Sequence, residues 1–147
     1  MGICCAKQHT VEYASTIKFI PPIEKAHVIK VYDGDTFTIA AKLPWNRQQF
    51  YRFSVRIKGI DCPEMKTSNK NEKKVALLAQ QFVSNLILQK IIQLKDITYD
   101  KYGRLCAHAF IGETNIGDAL LSKHLAIPYN GGTKKPPKNW MKYYNLR

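Results

Sequence analysis

From His27 onward the pattern of apolar and polar positions becomes strand-like and predicts strands over residues 27–32 and 35–41. Asp33-Gly34 between them is a short hairpin signal, implying two strands around a tight turn. After a loop through Pro44, Trp45 and Asn46, the apolar residues Tyr51, Phe53, Val55 and Ile57 interleave with Arg52, Ser54, Arg56 and Lys58. That is the pattern of a half-buried strand with Arg56 on its polar face. The period then changes. Val75, Leu78, Ala79, Phe82, Val83, Leu86 and Ile87 form a stripe at helical spacing, which predicts a helix packed on the core and gives no reason to see a cofactor box.

Two further strands are predicted over 91–98 and 104–111, joined by the turn chemistry of Asp100-Lys101-Tyr102-Gly103. Asn115 with Asp118 three residues on resembles a capping box, opening a short helix through Leu120 and Leu121 to about His124. Strand–strand–strand–helix–strand–strand–helix is the order of a five-stranded OB-type β-barrel, an α+β fold with two or three helices. Three regions follow: an extension over 1–26 that has no regular period and ends in Pro21-Pro22, a folded body over 27–129, and a basic, partly mobile tail over 130–147.

At 147 residues the chain has room for one domain and one core, with a monomer as the expected state. Its 23 Lys and Arg against 11 Asp and Glu give a net charge of +12. Such an excess favours a polyanionic partner, nucleic acid first and an anionic membrane surface second, although solubility alone also explains lysine. No stretch has the length of an apolar membrane span and the N-terminus lacks the apolar core of a secretory signal, so an intracellular, cytoplasmic protein is expected. Cys4, Cys5, Cys62 and Cys106 show no zinc-like pairing, and free thiols are expected. Met1-Gly2 followed by Cys4 and Cys5 resembles a start for myristoylation at Gly2 and palmitoylation at the cysteines. Two chains would hold the protein at the cytoplasmic face of a membrane. Ala6 replaces the usual Ser or Thr of that signal, which leaves an unmodified N-terminus as the plainer alternative.

Candidate chemistry concentrates in three segments: Asp33-Gly34-Asp35-Thr36; Arg56 through Asp61-Cys62-Pro63-Glu64; and Asp100-Lys101-Tyr102-Gly103-Arg104. Each alone is an ordinary turn. Parity changes the weight of Asp35, which shares a strand side with Phe37 and Ile39, the inward face. A carboxylate there needs a cation or an arginine at a barrel end, because burying it unpaired costs several kcal/mol or more. Asp35 and Asp61, without a His or Cys cluster, suit one hard ion such as calcium, completed by backbone carbonyls and water. Cys62 offers its main-chain oxygen to such an ion in preference to its soft sulfur.

In this order the three segments resemble the staphylococcal-nuclease-like family (thermonucleases) over about residues 27–129. The resemblance implies metal ligands at Asp35, Asp61 and the main-chain oxygen of Cys62, where the family usually has threonine. It implies catalytic roles for Arg56, Glu64 and Arg104, with Glu64 as general base, and a nucleotide groove formed by Lys101, Tyr102 and Tyr129. The activity implied is a calcium-dependent endonuclease that hydrolyses DNA and RNA, favours single-stranded or loosened regions and leaves 3′-phosphate ends. Residue chemistry agrees: arginine keeps its charge at any working pH and its planar fork matches phosphate oxygens. Tyr102 and Tyr129 can stack bases without regard to sequence. Lys66, Lys70, Lys73 and Lys74 can follow a phosphate backbone or simply stay solvated, and His108 and His124 lie in no motif. The main rival is a catalytically inactive OB-fold module that only binds nucleic acid. A lipid-anchored adaptor with relic nuclease motifs comes third.

Overall fold

In the computed structural model, which describes residues 10–146, the chain builds its barrel from strands whose inward positions are small or branched apolar residues. β1 (Lys25–Val31) buries Ala26, Val28 and Val31, and β2 (Thr36–Leu43) buries Phe37, Ile39, Ala41 and Leu43. The two pair antiparallel. Their connection is wider than a two-residue turn: the last register pair is Val31 with Phe37, and the amides of Tyr32 and Asp33 both donate to the Thr36 carbonyl, at 3.0 and 3.3 Å. Gly34 is required there by close approach, since a Cβ would stand 2.6 Å from Cys62 Sγ and 2.8 Å from the Ala79 Cβ.

β3 (Asn46–Ile57) pairs antiparallel with β2 after a tight turn at Pro44-Trp45, so it begins earlier than the alternating run. Residues 46–50 were invisible to the hydrophobic pattern because they are exposed, with Asn46 and Phe50 paired to Leu43 and Lys42 across an irregularity. A two-residue strand β4 (Ile60–Asp61) follows, then α1 (Lys70–Ile87), whose Asn69 cap accepts from the amides of Asn71 and Glu72. The helix buries Val75, Ala76, Ala79, Val83 and Ile87 and turns Leu78 outward.

β5 (Ile91–Tyr99) and β6 (Leu105–Ile111) pair antiparallel, and β6 then pairs in parallel with β3, matching Val55 with Leu105, Arg56 with Cys106 and Ile57 with Ala107. That seam closes the five long strands into a barrel in the order β3-β2-β1-β5-β6, the OB-type α+β architecture. β7 (Thr114–Asn115) leads into α2 (Ile116–Ser122), capped by the Asn115 side chain at Gly117 and Asp118. β8 (Ile127–Pro128) pairs with β4, setting Asp61 opposite Ile127.

The chain differs from the expected mobile tail over 130–147. Asn139 caps α3 (Trp140–Tyr144), Trp140 is buried, and the helix lies against α1, with Tyr143 stacked on His124 at 4.7 Å. One helical turn is too short to show a period, so the sequence signal was confined to the cap. At the other end, Pro21 and Ile23 are buried and β1 starts at Lys25, so the body begins before residue 27. Cys62 and Cys106 are free thiols. The acylation candidates Gly2, Cys4 and Cys5 lie outside the described residues. Among the described residues, no helix is long and apolar enough to cross a membrane.

If α3 belongs to the core, Trp140→Ala should cost about 3 kcal/mol, as deletions of buried aromatics do. Chemical denaturation measures this, and an unchanged midpoint would mean that α3 is an appendage.

Candidate active site

Strand register decides where Arg56 goes. It sits opposite Thr36 on β2 and Cys106 on β6, near the barrel end where the Asp33–Asp35 connection and β4 meet. Its guanidinium bridges two carboxylates, with Nη1 2.6 Å from Asp35 Oδ2 and Nη2 2.9 Å from Asp61 Oδ1, and Nη2 also donates to the Ile60 carbonyl at 3.4 Å. Asp35 and Asp61 are only 4% and 3% exposed, so each needs that cation. Burial pulls the Arg56 guanidinium down, but Asp35 and Asp61 together outweigh it and hold it firmly protonated.

Further hydrogen bonds fix Asp35. It accepts from Thr36 Oγ1 at 2.8 Å and from the Cys62 amide at 3.1 Å, and its own amide donates to Asp33 Oδ1 at 3.2 Å. Burial, then the charges of Asp35 and Asp33, push the Cys62 thiol well up, so its sulfur stays protonated and is a poor ligand for a hard ion. Burial and the neighbouring Asp35 also raise the Asp33 carboxyl, to about 6.

Across the opening, the turn between β5 and β6 holds Arg104. Asp100 Oδ1 accepts from the amides of Tyr102 and Arg104 at 2.8 and 2.9 Å, and its Oδ2 lies 2.6 Å from Arg104 Nε. Gly103, with φ of 81°, provides the left-handed residue this turn needs. The Arg104 guanidinium sits 5.6 Å from the Tyr102 ring centroid. Glu64 is exposed, and Lys134 Nζ pairs with it at 2.8 Å while also lying 2.9 Å from Asp61 Oδ1. The Glu64 amide donates to Glu72 Oε1 at 3.1 Å, tying this loop to the first turn of α1. Tyr129 is anchored by its amide to the Gly59 carbonyl at 2.9 Å, and its ring centroid lies 5.8 Å from the Arg56 guanidinium.

These residues surround one open groove of about 640 Å³. Arg56, Glu64, Arg104, Asp35, Cys62, Lys101, Tyr102 and Tyr129 all border it, and Asp61 stands behind Arg56. Lys66, Lys70, Lys73 and Lys74 are exposed but do not border it. Sequence reasoning missed Lys134, and Thr36 as a donor to Asp35, and it read Asp100 with Arg104 as no more than a turn with a surface salt bridge. Thr36 lies inside a quoted motif. Lys134 had no signal, because the contact spans seventy residues.

Among the described residues, no three His, Cys, Asp or Glu side chains converge as a metal cluster. Side chains therefore bring two buried carboxylates, and a main-chain oxygen at Cys62, water and phosphate oxygens would complete a shell. With a protonated thiol beside them, this all-oxygen donor set fits calcium or another hard divalent ion.

The chain matches the family model described as staphylococcal nuclease homologue over residues 54–146. It is also 30% identical over 127 residues to a protein named as a probable endonuclease in Schizosaccharomyces pombe, covering 71% of this chain and 55% of that one. A second relative, named probable endonuclease lcl3, from Schizosaccharomyces japonicus, is 27% identical over 127 residues, with 71% and 54% covered. The chain thus spans about half the length of the curated relatives it matches.

Asp100 yields a pH prediction. Burial pushes its carboxyl up, but the bonds from Arg104 and from the Tyr102 amide outweigh this and hold it below the usual value. A depressed carboxylate stabilises fully above its unfolded pKa of about 4, and that contribution fades as pH falls below it. Asp100→Asn should thus cost about 1–2 kcal/mol at pH 7 and less at pH 3. Urea midpoints at the two pH values check this; an equal gap at both would remove the carboxylate as its source.

Proposed function

The chain belongs to the staphylococcal nuclease homologues, and from that premise we propose that it is a calcium-dependent endonuclease hydrolysing phosphodiester bonds of DNA and RNA to leave 3′-phosphate ends. The observation that carries this reading is the charge balance of the groove. Asp33, Asp35, Glu64 and Asp100 face Arg56, Lys101, Arg104 and Lys134 along its wall, with Asp61 a further carboxylate behind. In a protein of net charge +12, this open groove gathers two arginines yet has no positive excess to offer a phosphate. Asp35 and Asp61 would hold a divalent cation, which would reverse that sign and supply Lewis-acid polarisation of the phosphate.

The remaining steps fall to this chain's own side chains. Arg56 approaches the groove from β3 and Arg104 from the turn between β5 and β6, and their forks grip the scissile phosphate's non-bridging oxygens, where charge grows as water attacks phosphorus. Glu64, exposed at the groove edge, takes the proton of that water as its oxygen bonds to phosphorus. The bond from phosphorus to the 5′ oxygen breaks, and that oxygen leaves with the electron pair and is protonated from solvent. Lys101 draws in the backbone, and Tyr102 and Tyr129 stack the flanking bases, which requires bases free of a duplex and favours single-stranded or loosened substrate.

One observation favours the alternative of a nucleic-acid-binding module without hydrolysis: Arg56 and Lys134 already give Asp35, Asp61 and Glu64 cationic partners. Incubating labelled single-stranded DNA or RNA with the protein, with calcium or a chelator, separates the two. Cleavage should occur only with calcium, yield 3′ ends that a polymerase extends only after phosphatase treatment, and fall at least about a hundredfold in Glu64→Gln. Binding without cleavage would establish the module reading. Full activity of Glu64→Gln would remove Glu64 as the base.

A further inference from the structure

Lys134 is the one cation of the site that no motif contains. It projects from the Gly131–Gly132 loop, and its Nζ lies 2.9 Å from Asp61 Oδ1 and 2.8 Å from Glu64 Oε1, bridging a buried and an exposed carboxylate. Asp61 Oδ1 is shared, taking Arg56 Nη2 at 2.9 Å as well. Two side-chain cations thus meet on one oxygen of a residue 3% exposed, where a divalent ion would bring a third charge. Like charges so close in a partly desolvated site repel, so the three cannot hold Asp61 together without cost. Arg56 is carried on a strand and keeps a second bond to Asp35, so it gives up Asp61 less readily. Lys134 sits on a surface loop with 43% of its side chain exposed, so it is the first to leave.

We propose that Lys134 is a positioning residue that holds Glu64 and Asp61 together as a built-in substitute for the divalent ion, and that ion loading requires its release. This rests on the reading of Asp35 and Asp61 as ion ligands. Ion and ammonium compete for the same carboxylate oxygens, so the coupling is reciprocal: the ion weakens the hold of Lys134 on Asp61, and Lys134 lowers the affinity for the ion by the same factor. Because Gly131, Gly132 and Lys134 border the groove together, release of the ammonium also frees one wall of it as the site becomes competent for a phosphate.

Isothermal titration of calcium into the full chain tests this, with Lys134→Met and Lys134→Arg beside Lys135→Met, which removes the same charge from the next position of the loop. The expected result is about tenfold tighter calcium binding by Lys134→Met, within the usual range of coupling between sites. Lys134→Arg should stay near the parent, and so should Lys135→Met. Equal constants for the parent and Lys134→Met, or the same gain from Lys135→Met, would overturn the proposal while leaving the ion site standing. No heat of binding in any of the four proteins would overturn both the proposal and the ion reading beneath it.

Discussion

The Arg56 guanidinium, caught between Asp35 and Asp61, is the contact on which the barrel end and its groove both depend. Two carboxylates almost out of solvent would cost several kcal/mol each if unpaired, and one planar fork satisfies both from a single strand position. This pair of bonds ties the Asp33–Asp35 connection, β3 and β4 together, beside the bonds from the Ile57 and Cys62 amides to Asp35. The same fork is the natural grip for a phosphate, so structure and chemistry draw on one group. Under the proposed function the site would change partners as it loads: a cation relieving the carboxylates would free the arginine for a phosphate.

Around that contact the barrel closure does the placing. β3 and β6 run parallel with Arg56 beside Cys106, which brings the Asp100–Arg104 turn to the same opening and sets Arg104 across from Arg56. β4 against β8 brings Tyr129 under the Arg56 side chain. Gly34 lets the connection before Asp35 lie directly against Cys62 and α1, so that the first carboxylate and the Asp61–Glu64 segment are assembled by packing as well as by charge.

Much of this was legible in the residues. Strand-like patterns and turn chemistry placed the cores of the five barrel strands, and the stripe from Val75 to Ile87 placed α1. Burial of Asp35 followed from its parity with Phe37 and Ile39, and the need for an arginine or a metal followed from that burial. Local patterns stopped where the structure is made by long-range pairing. The exposed start of β3, the two-residue strands β4 and β8, and α3 with its buried Trp140 have no period to read. Lys134 reaches Glu64 across the whole fold. Its position depends on how the loop after β8 returns over the groove, a property of topology to which no spacing rule applies. Charge counting could not reach the local balance, since the groove is nearly neutral in a strongly basic protein.

A crystal structure grown in calcium tests the shared role of Arg56 most directly. The account predicts an ion about 2.3–2.6 Å from carboxylate oxygens of both Asp35 and Asp61, with the Arg56 guanidinium no longer bridging the two and turned toward the groove. Arg56 still spanning both carboxylates at saturating calcium, with no ion between them, would contradict it.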